Sequence, residues 1–434
     1  MKVFLVNDST SNPNWGDRAA ATALKMMLSA RGAELCAVLS EDDLKWTKYH
    51  VSSIPPQRPN GKRLQRVAEL FLPPIVAKLA AMLSRELSNF RIFDKTLSSA
   101  DDLEICANYF QRHRAEFPIL NQAIESCDAV VIHGDGAMVG DGRLPRSQLF
   151  IAYLAKRVFS KPVALVNHTA DFDHDPLRAM ARIVYPMLDD VLFRDITSVL
   201  RCNEFVAGEY AADTAFLFEP ADPRILKDIH NRPTYYDVWP DEANFDPARP
   251  YICIGGSSKK LARGPEDLPM MVDQFTRLVS AIRSTYSGQV VLTTSAVRDE
   301  KILRPVAHRL GLPLVGNRIS VQQAVDIVGN AEAYIGGRWH PSIFALRGGV
   351  PLVPLSSKTF KIDALVEMAG LNTPVFDVMD LDNNTAGILE QLGIALGEGK
   401  EERERRKNWA RQQADSCWNN VRMVWAVSGW TRTQ

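Results

Sequence analysis

The sequence predicts an α/β chain built as two doubly wound, Rossmann-like domains facing a cleft, with a helical insertion in the first. Three observations carry this: short continuous apolar runs, helix-period segments alternating with them, and one proline-rich lapse near the middle of the 434 residues. Short apolar runs separated by helices mark strands covered on both faces, as in a mainly parallel sheet. The length suits two or three domains.

Lys2 to Asn7 (KVFLVN) reads as the first strand, followed by a loop and a helix from about Asp17 to Arg31. Asp128 to His133, Pro162 to Asn167 and Asp190 to Phe193 repeat the pattern and complete an N-terminal domain over 1–218. Residues 51–126 form its helical insertion. The periodicity lapses over 219–249, where prolines stand at 220, 223, 233, 240 and 247, and this stretch reads as a linker. Tyr251 to Ile254, Gln289 to Thr293, Ala331 to Ile335 and Pro351 to Pro354 then build a second domain over 250–398. Residues 399–434 read as a charged helical segment that could pack back on the N-terminal domain. There Trp418 and Trp425 share a face with Val421, a core stripe by general burial tendency, with sugar stacking as the alternative. Two such halves resemble the two-domain glycosyltransferases of the GT-B type, whose site lies in the cleft at the carboxyl ends of the strands.

Composition excludes several classes. Lys plus Arg and Asp plus Glu both number 51, so the chain carries no basic excess for coating nucleic acid. Six scattered cysteines without a C-x-x-C pair fit reduced thiols in a cytoplasmic protein better than disulfides or a zinc knuckle. The start lacks a signal-peptide core, and no run approaches the roughly 18 to 20 apolar residues of a membrane span. Residues 51–100 hold eight Lys/Arg against three acids. Together with LFLPPIVAKLAAML, this makes 57–91 a candidate peripheral membrane contact, at the inner face of the membrane. The plainer alternative is a solvated helical insertion.

Chemistry concentrates at the predicted strand ends. In IGGRWHPSIFALRGGVPLVPLSSKTFK, Arg338 and His340 open a helix directly after a strand. Backbone N–H groups, the helix dipole and a guanidinium make an anion site there. An imidazole at that place can move a proton near neutral pH. Ser356, Ser357, Lys358 and Lys361 form a second anion-friendly loop, and Gly255, Gly256 and Ser257 could cradle phosphate. The plain reading of Arg338 and His340 is a cap with local ion pairs. In the first half, Asn14 to Asp17 follows a strand, with Asp17 either an N-cap or a base for a sugar hydroxyl. His133-Gly134-Asp135-Gly136 closes another strand, and Arg194 ends a third. The acid- and histidine-rich stretch 167–175 imitates a metal cluster, but closely spaced Asp residues are more often turn formers, so no metal is expected. No dinucleotide fingerprint, P-loop or G-x-S-x-G elbow occurs.

These blocks together are identified as a resemblance to the polysaccharide pyruvyl transferase family. NWGD (14–17), HGDGAMVGDGR (133–143), SKPVALVNHT (160–169), LFRDITSVL (192–200) and the block 336–365 carry it. The resemblance implies transfer of pyruvate from phosphoenolpyruvate to a sugar as a cyclic ketal, in bacterial-type polysaccharide or glycoconjugate biosynthesis. It implies a small anionic donor, held by Arg194 and Arg338, and a saccharide or lipid-linked glycan acceptor. Two guanidinium forks suit a carboxylate and a phosphate close together. His340 is the expected general acid, with Asp17 or Asp135 accepting the acceptor's proton. Asn14, Gly134, Gly136 and His168 are expected on the acceptor side. No cofactor is implied, and activity in chelator is expected. Glycosyl or phosphoribosyl transfer on the same shell, and a non-catalytic carbohydrate-binding protein, are the alternatives.

Overall fold

The computed structural model describes residues 1–46, 99–140, 142–172, 175–222, 238–239, 245–259 and 267–424. The candidate membrane element 57–91 lies outside them. Among the described residues no helix is long and apolar enough to cross a membrane. All six cysteines are free thiols.

Two six-stranded sheets organise the chain. The first runs β2-β1-β3-β4-β5-β6, all parallel, from β1 (Lys2–Asp8), β2 (Glu34–Ser40), β3 (Ala129–Asp135), β4 (Val163–His168), β5 (Asp190–Phe193) and β6 (Glu209–Tyr210). β3 and β4 are buried at every position, which explains why they read as uninterrupted apolar runs. Helix α1 (Trp15–Ala30) follows β1, its start fixed by the Asn14 side chain accepting from the Gly16 N–H at 2.9 Å.

The second sheet runs β12-β11-β8-β9-β10-β7. Its strands are β7 (Val238–Trp239), β8 (Tyr251–Ser257), β9 (Gln289–Thr293), β10 (Leu314–Val315), β11 (Tyr334–Gly337) and β12 (Leu352–Pro354). All pairings are parallel except β7 with β10. Thus the stretch expected as a bare linker supplies an antiparallel edge strand to the second sheet.

Both sheets reverse direction once, between β1 and β3 and between β8 and β11. Such a switch point opens a crevice beyond the strand ends. Asn7, Asp135 and Asn167, at or next to the last residues of β1, β3 and β4, take left-handed φ values of 71°, 46° and 53°. Asn and Asp tolerate that region best among residues with a side chain.

The domains share a core. Trp15, Leu24, Phe216, Phe344 and Val421 belong to one buried cluster drawn from both halves and the C-terminus. Across the junction, the Trp15 N–H donates to the Ser295 carbonyl at 3.0 Å, and Arg18 donates to the Asn317 and Ile319 carbonyls. The expected long C-terminal helix ends at Ser416 and tightens into a 3-10 turn over Cys417–Val421. Asn420 then donates to the Ala212 carbonyl and accepts from the Asn167 N–H, and Arg422 pairs with Asp190 and Glu209. Trp418 is half-buried against the shared core, with Arg31 over its ring.

Candidate active site

The centre of the site is a guanidinium with almost no exposure. Arg194 follows β5 and is 1% exposed. Its Nη1 donates to Asp135 at 2.5 Å and to Asp213 at 2.9 Å, and its Nε donates to the Thr169 hydroxyl at 3.0 Å. Helix α11 (Trp339–Arg347) of the second domain closes over it. Trp339 Nε1 donates to Asp213 at 2.9 Å, and its ring lies 5.2 Å from the Arg194 guanidinium, a cation–π contact. His340 Nε2 sits 3.4 Å from Asp213 and 3.8 Å from Asp135.

Two glycines make this approach possible. A Cβ on Gly16 would fall inside the His340 ring, so α1 of one domain seats the imidazole of the other only because residue 16 has no side chain. A Cβ on Gly136 would stand 2.7 Å from Lys361 Nζ and 3.3 Å from Arg194 Nη2. Lys361 opens helix α12 (Lys361–Met368). Its ammonium forms no ion pair, and Arg194 Nη2 no hydrogen bond, among the described residues. An ammonium with no ion pair and a guanidinium nitrogen with no hydrogen bond among the described residues thus flank one glycine.

Electrostatics separates the acids. Burial alone would raise the Asp135 carboxyl, yet the charges of Arg194, His340 and His133 bring it down to about 2. Asp213 is likewise held far below the usual carboxylate range by His340 and Arg194, against burial. Asp17 goes the other way. Burial, then the nearby charges of Asp135 and Glu41, push its carboxyl well above the ordinary value. Burial, then the adjacent Arg194 charge, lowers Lys361 to about 8.

The other residues expected at the site fall into separate places. Arg338 does not join Arg194: its guanidinium grips the buried Asp299 at 2.6 and 3.2 Å. The two arginines serve different carboxylates because Arg338, just before α11, reaches Asp299 where that acid lies against β8. There Gly256 leaves room for Asp299. Gly255 makes room for the Tyr334 ring. Ser257 donates to the Ser356 carbonyl at 2.6 Å, Ser356 to Asp377, and Ser357 to the Thr359 carbonyl. These hydroxyls hold the loops to one another, and Lys358 is exposed.

His168 is a core histidine rather than an acceptor-side group. It is fully buried between the Leu192 carbonyl and the Tyr185 hydroxyl, and burial lowers it to about 3. Gly134 is needed to pack against it. In the supposed metal stretch, Asp171 pairs with Arg201, while 173 and 174 lie outside the described residues. Among the described residues no group of three or more His, Cys, Asp or Glu is placed to hold a metal.

Asp213 and Asp299 were missed by the sequence reading. Asp213 stands in EYAADTAFLF, after a strand of only two residues. Its signal was the Asp-Thr-Ala start of a 3-10 turn, which its carboxylate caps through the Ala215 N–H.

Comparison with solved structures returns sugar-nucleotide enzymes. UDP-GlcNAc 2-epimerase from Neisseria meningitidis, bound to UDP-GlcNAc, matches with a TM-score of 0.51 at 11% identity, covering 99% of each chain. The MnaA–UDP structure of S. aureus gives 0.51 at 12%, over 100% of this chain and 98% of that one. The UDP-GlcNAc 2-epimerase of Methanocaldococcus jannaschii gives 0.50 at 11%, over 98% and 99%. At these identities the likeness is one of fold: two Rossmann-like domains in the GT-B arrangement. No curated protein matches the sequence. A family model described as polysaccharide pyruvyl transferase matches residues 14–359. That match runs from the Asn14 cap of α1, through Asp135, Arg194 and His340, to the loop after β12, and the chain accordingly belongs to the polysaccharide pyruvyl transferase family of transferases.

Proposed function

We propose that this transferase moves the pyruvyl group of phosphoenolpyruvate onto two hydroxyls of a saccharide or lipid-linked glycan, as a cyclic ketal, in the cytoplasm. The observation that carries the reading is the pair of nitrogens beside Gly136, Lys361 Nζ and Arg194 Nη2, neither of them bonded to a carboxylate among the described residues, close to the His340 imidazole. A small donor bearing a carboxylate and a phosphate meets both cations at once.

The reaction sets three tasks. One proton must reach the methylene carbon of the donor, and the central carbon must take an oxygen from each of two hydroxyls. The C–O bond to phosphate must break, the phosphate leaving with the second hydroxyl proton. Arg194 and Lys361 stabilise the leaving phosphate electrostatically, a task for preorganised cations in a site shielded from water. His340 and Asp17 are the groups at hand for proton movement.

The test uses the full chain with phosphoenolpyruvate, a nucleotide-sugar panel and phosphoribosyl diphosphate in thermal shift. Phosphate release and saccharide mass are then followed with an acceptor panel. Phosphoenolpyruvate at 100 times its dissociation constant should stabilise the fold by about 2.7 kcal/mol. It should also yield one phosphate per ketal. Stabilisation by nucleotide sugars alone, with no phosphate released from phosphoenolpyruvate, sinks the reading.

A further inference from the structure

Asp213 is completely buried, and both its oxygens are engaged. Oδ1 accepts from the Ala215 N–H at 2.8 Å, which ties the carboxylate to its own turn. That turn is itself held: the Asn167 side chain accepts from the Thr214 N–H, and Asn420 donates to the Ala212 carbonyl. Oδ2 accepts from Arg194 Nη1 and from Trp339 Nε1, each at 2.9 Å. One fixed oxygen of the first domain thus receives donors from both domains. His340 is the next residue on α11, and its Nε2 lies 3.4 Å from the same oxygen.

The supply of hydrogens decides what that imidazole nitrogen carries. Around Nε2 stand Asp213 at 3.4 Å, Arg194 Nη1 at 3.5 Å and Asp135 at 3.8 Å. Nη1 bears two hydrogens, and these go to Asp135 and Asp213 at 2.5 and 2.9 Å. None is left for the ring. Nε2 therefore faces two carboxylates, which only accept, and it is the nitrogen that holds a hydrogen. Nδ1 lies against Gly16, which has no side chain to bond it and gives its own N–H to Asn14. Among the described residues Nδ1 has no hydrogen-bond partner. A buried carboxylate that fixes the tautomer of a working histidine acts through orientation, and its loss is costly even where the geometry survives.

We propose that Asp213 is a positioning residue that keeps a hydrogen on His340 Nε2, so that the proton exchanged with substrate is the one on Nδ1. The exchange rests on the phosphoenolpyruvate reading above. The Nδ1–H bond breaks as a C–H bond forms, turning the methylene of the donor into methyl. The central carbon, left electron-poor, takes the first sugar oxygen, and the proton of that hydroxyl refills Nδ1. Phosphate then departs with the C–O electron pair, the second sugar oxygen bonds to the central carbon, and its proton leaves with the phosphate. The Nε2–H bond stays intact throughout. Over the cycle, two hydroxyl protons end on one methyl group and one phosphate.

Proton–nitrogen NMR spectra of the full chain, labelled with 15N at histidine and compared with His340→Gln, identify the nitrogen that bears the hydrogen. The neutral ring of His340 should carry it on Nε2 in the wild type and lose that preference in Asp213→Asn. A neutral wild-type ring with its hydrogen on Nδ1 overturns the proposal, whatever the donor and whether or not the variant folds. Persistence of the Nε2–H form in Asp213→Asn overturns it too. Phosphate release from phosphoenolpyruvate with an acceptor saccharide supplies the kinetic arm. Thr169 and Asp135 still hold Arg194 in Asp213→Asn. Its KM for phosphoenolpyruvate should therefore stay within about threefold while kcat falls at least about 100-fold. Lower folding stability with an unchanged kcat would mean that Asp213 only braces the domains, and the positioning role would fall. A wild type that shows the Nε2–H form, lost in Asp213→Asn, and yet releases no phosphate from phosphoenolpyruvate refutes the donor reading while supporting the Asp213–His340 pair.

Discussion

The strand ends of the two domains handle charge in opposite ways. In the second domain, Arg338 pairs with Asp299 and Lys259 with Asp377, and Ser257 and Ser357 donate to loop carbonyls, Ser257 across to the other loop and Ser357 within its own. Each of these two cations has its own acid. In the first domain one guanidinium serves two carboxylates, and Lys361, supplied by the second domain, forms no ion pair among the described residues. A region with its charges matched one to one is held together by them. A region with a cation to spare is built to receive an anion. The difference lies in the partners rather than the residue types, and it is the reason the proposed donor is placed on the side of Arg194 and Lys361.

The largest effect should come from Arg194→Met. It would strand Asp135 and Asp213 without their cation, at 8% and 0% exposure. Breaking a buried ion pair from one side costs about 3–5 kcal/mol. Chemical denaturation should show a loss of that order, and phosphate release should vanish. A variant of wild-type stability would mean that the two acids take up protons without penalty, and the contrast between the domains would lose its centre.

Lys361→Met should do the reverse, sparing the fold and weakening the donor. Losing one charge-assisted contact corresponds to about 1.5–3 kcal/mol, roughly 10- to 150-fold in affinity. Its pH dependence sharpens the point. The ammonium titrates near 8 in the free protein, so phosphoenolpyruvate affinity should fall as pH rises through that value. Stability should move oppositely. The folded group is depressed below its unfolded value near 10.4, so the unfolded chain binds more protons between the two, and stability rises with pH across that window. Both inflections should disappear in Lys361→Met. Binding that stays flat through pH 8 in the wild type would remove Lys361 from the donor site.

Much of this frame was legible in the sequence. β1, β3, β4, β8 and β9 announce themselves as apolar runs because they are buried on both faces. β2 escaped because it is half-exposed and carries polar ends, and β6, β7 and β10 because two residues make no run. The location of the site was legible too, since loops after strands gather at switch points whatever their side chains do. Side-chain direction was not. His168 turns into a core closed on both faces, where periodicity distinguishes nothing, and Arg338 finds an acid 39 residues away that no local pattern announces. Asp213 combines both difficulties, a strand too short to see and a long-range partner.

The smallest effect should come from Arg338→Lys, and it tests the comparison from the other side. Lysine keeps the positive charge beside Asp299 and loses only the fork that spans 2.6 and 3.2 Å. Burial already holds the Asp299 carboxyl above its ordinary value despite Arg338, so the acid can accept a proton where the weaker cation fails to balance it. That protonation limits the loss, which should stay within about 1 kcal/mol, near the net worth of one hydrogen bond. Phosphoenolpyruvate affinity should change less than in Lys361→Met, since Arg338 is already engaged. If the lysine variant instead loses the donor as completely as Lys361→Met does, then Arg338 must leave Asp299 when the donor binds. The two strand-end regions would then form a single anion site with its charges rearranged by the ligand.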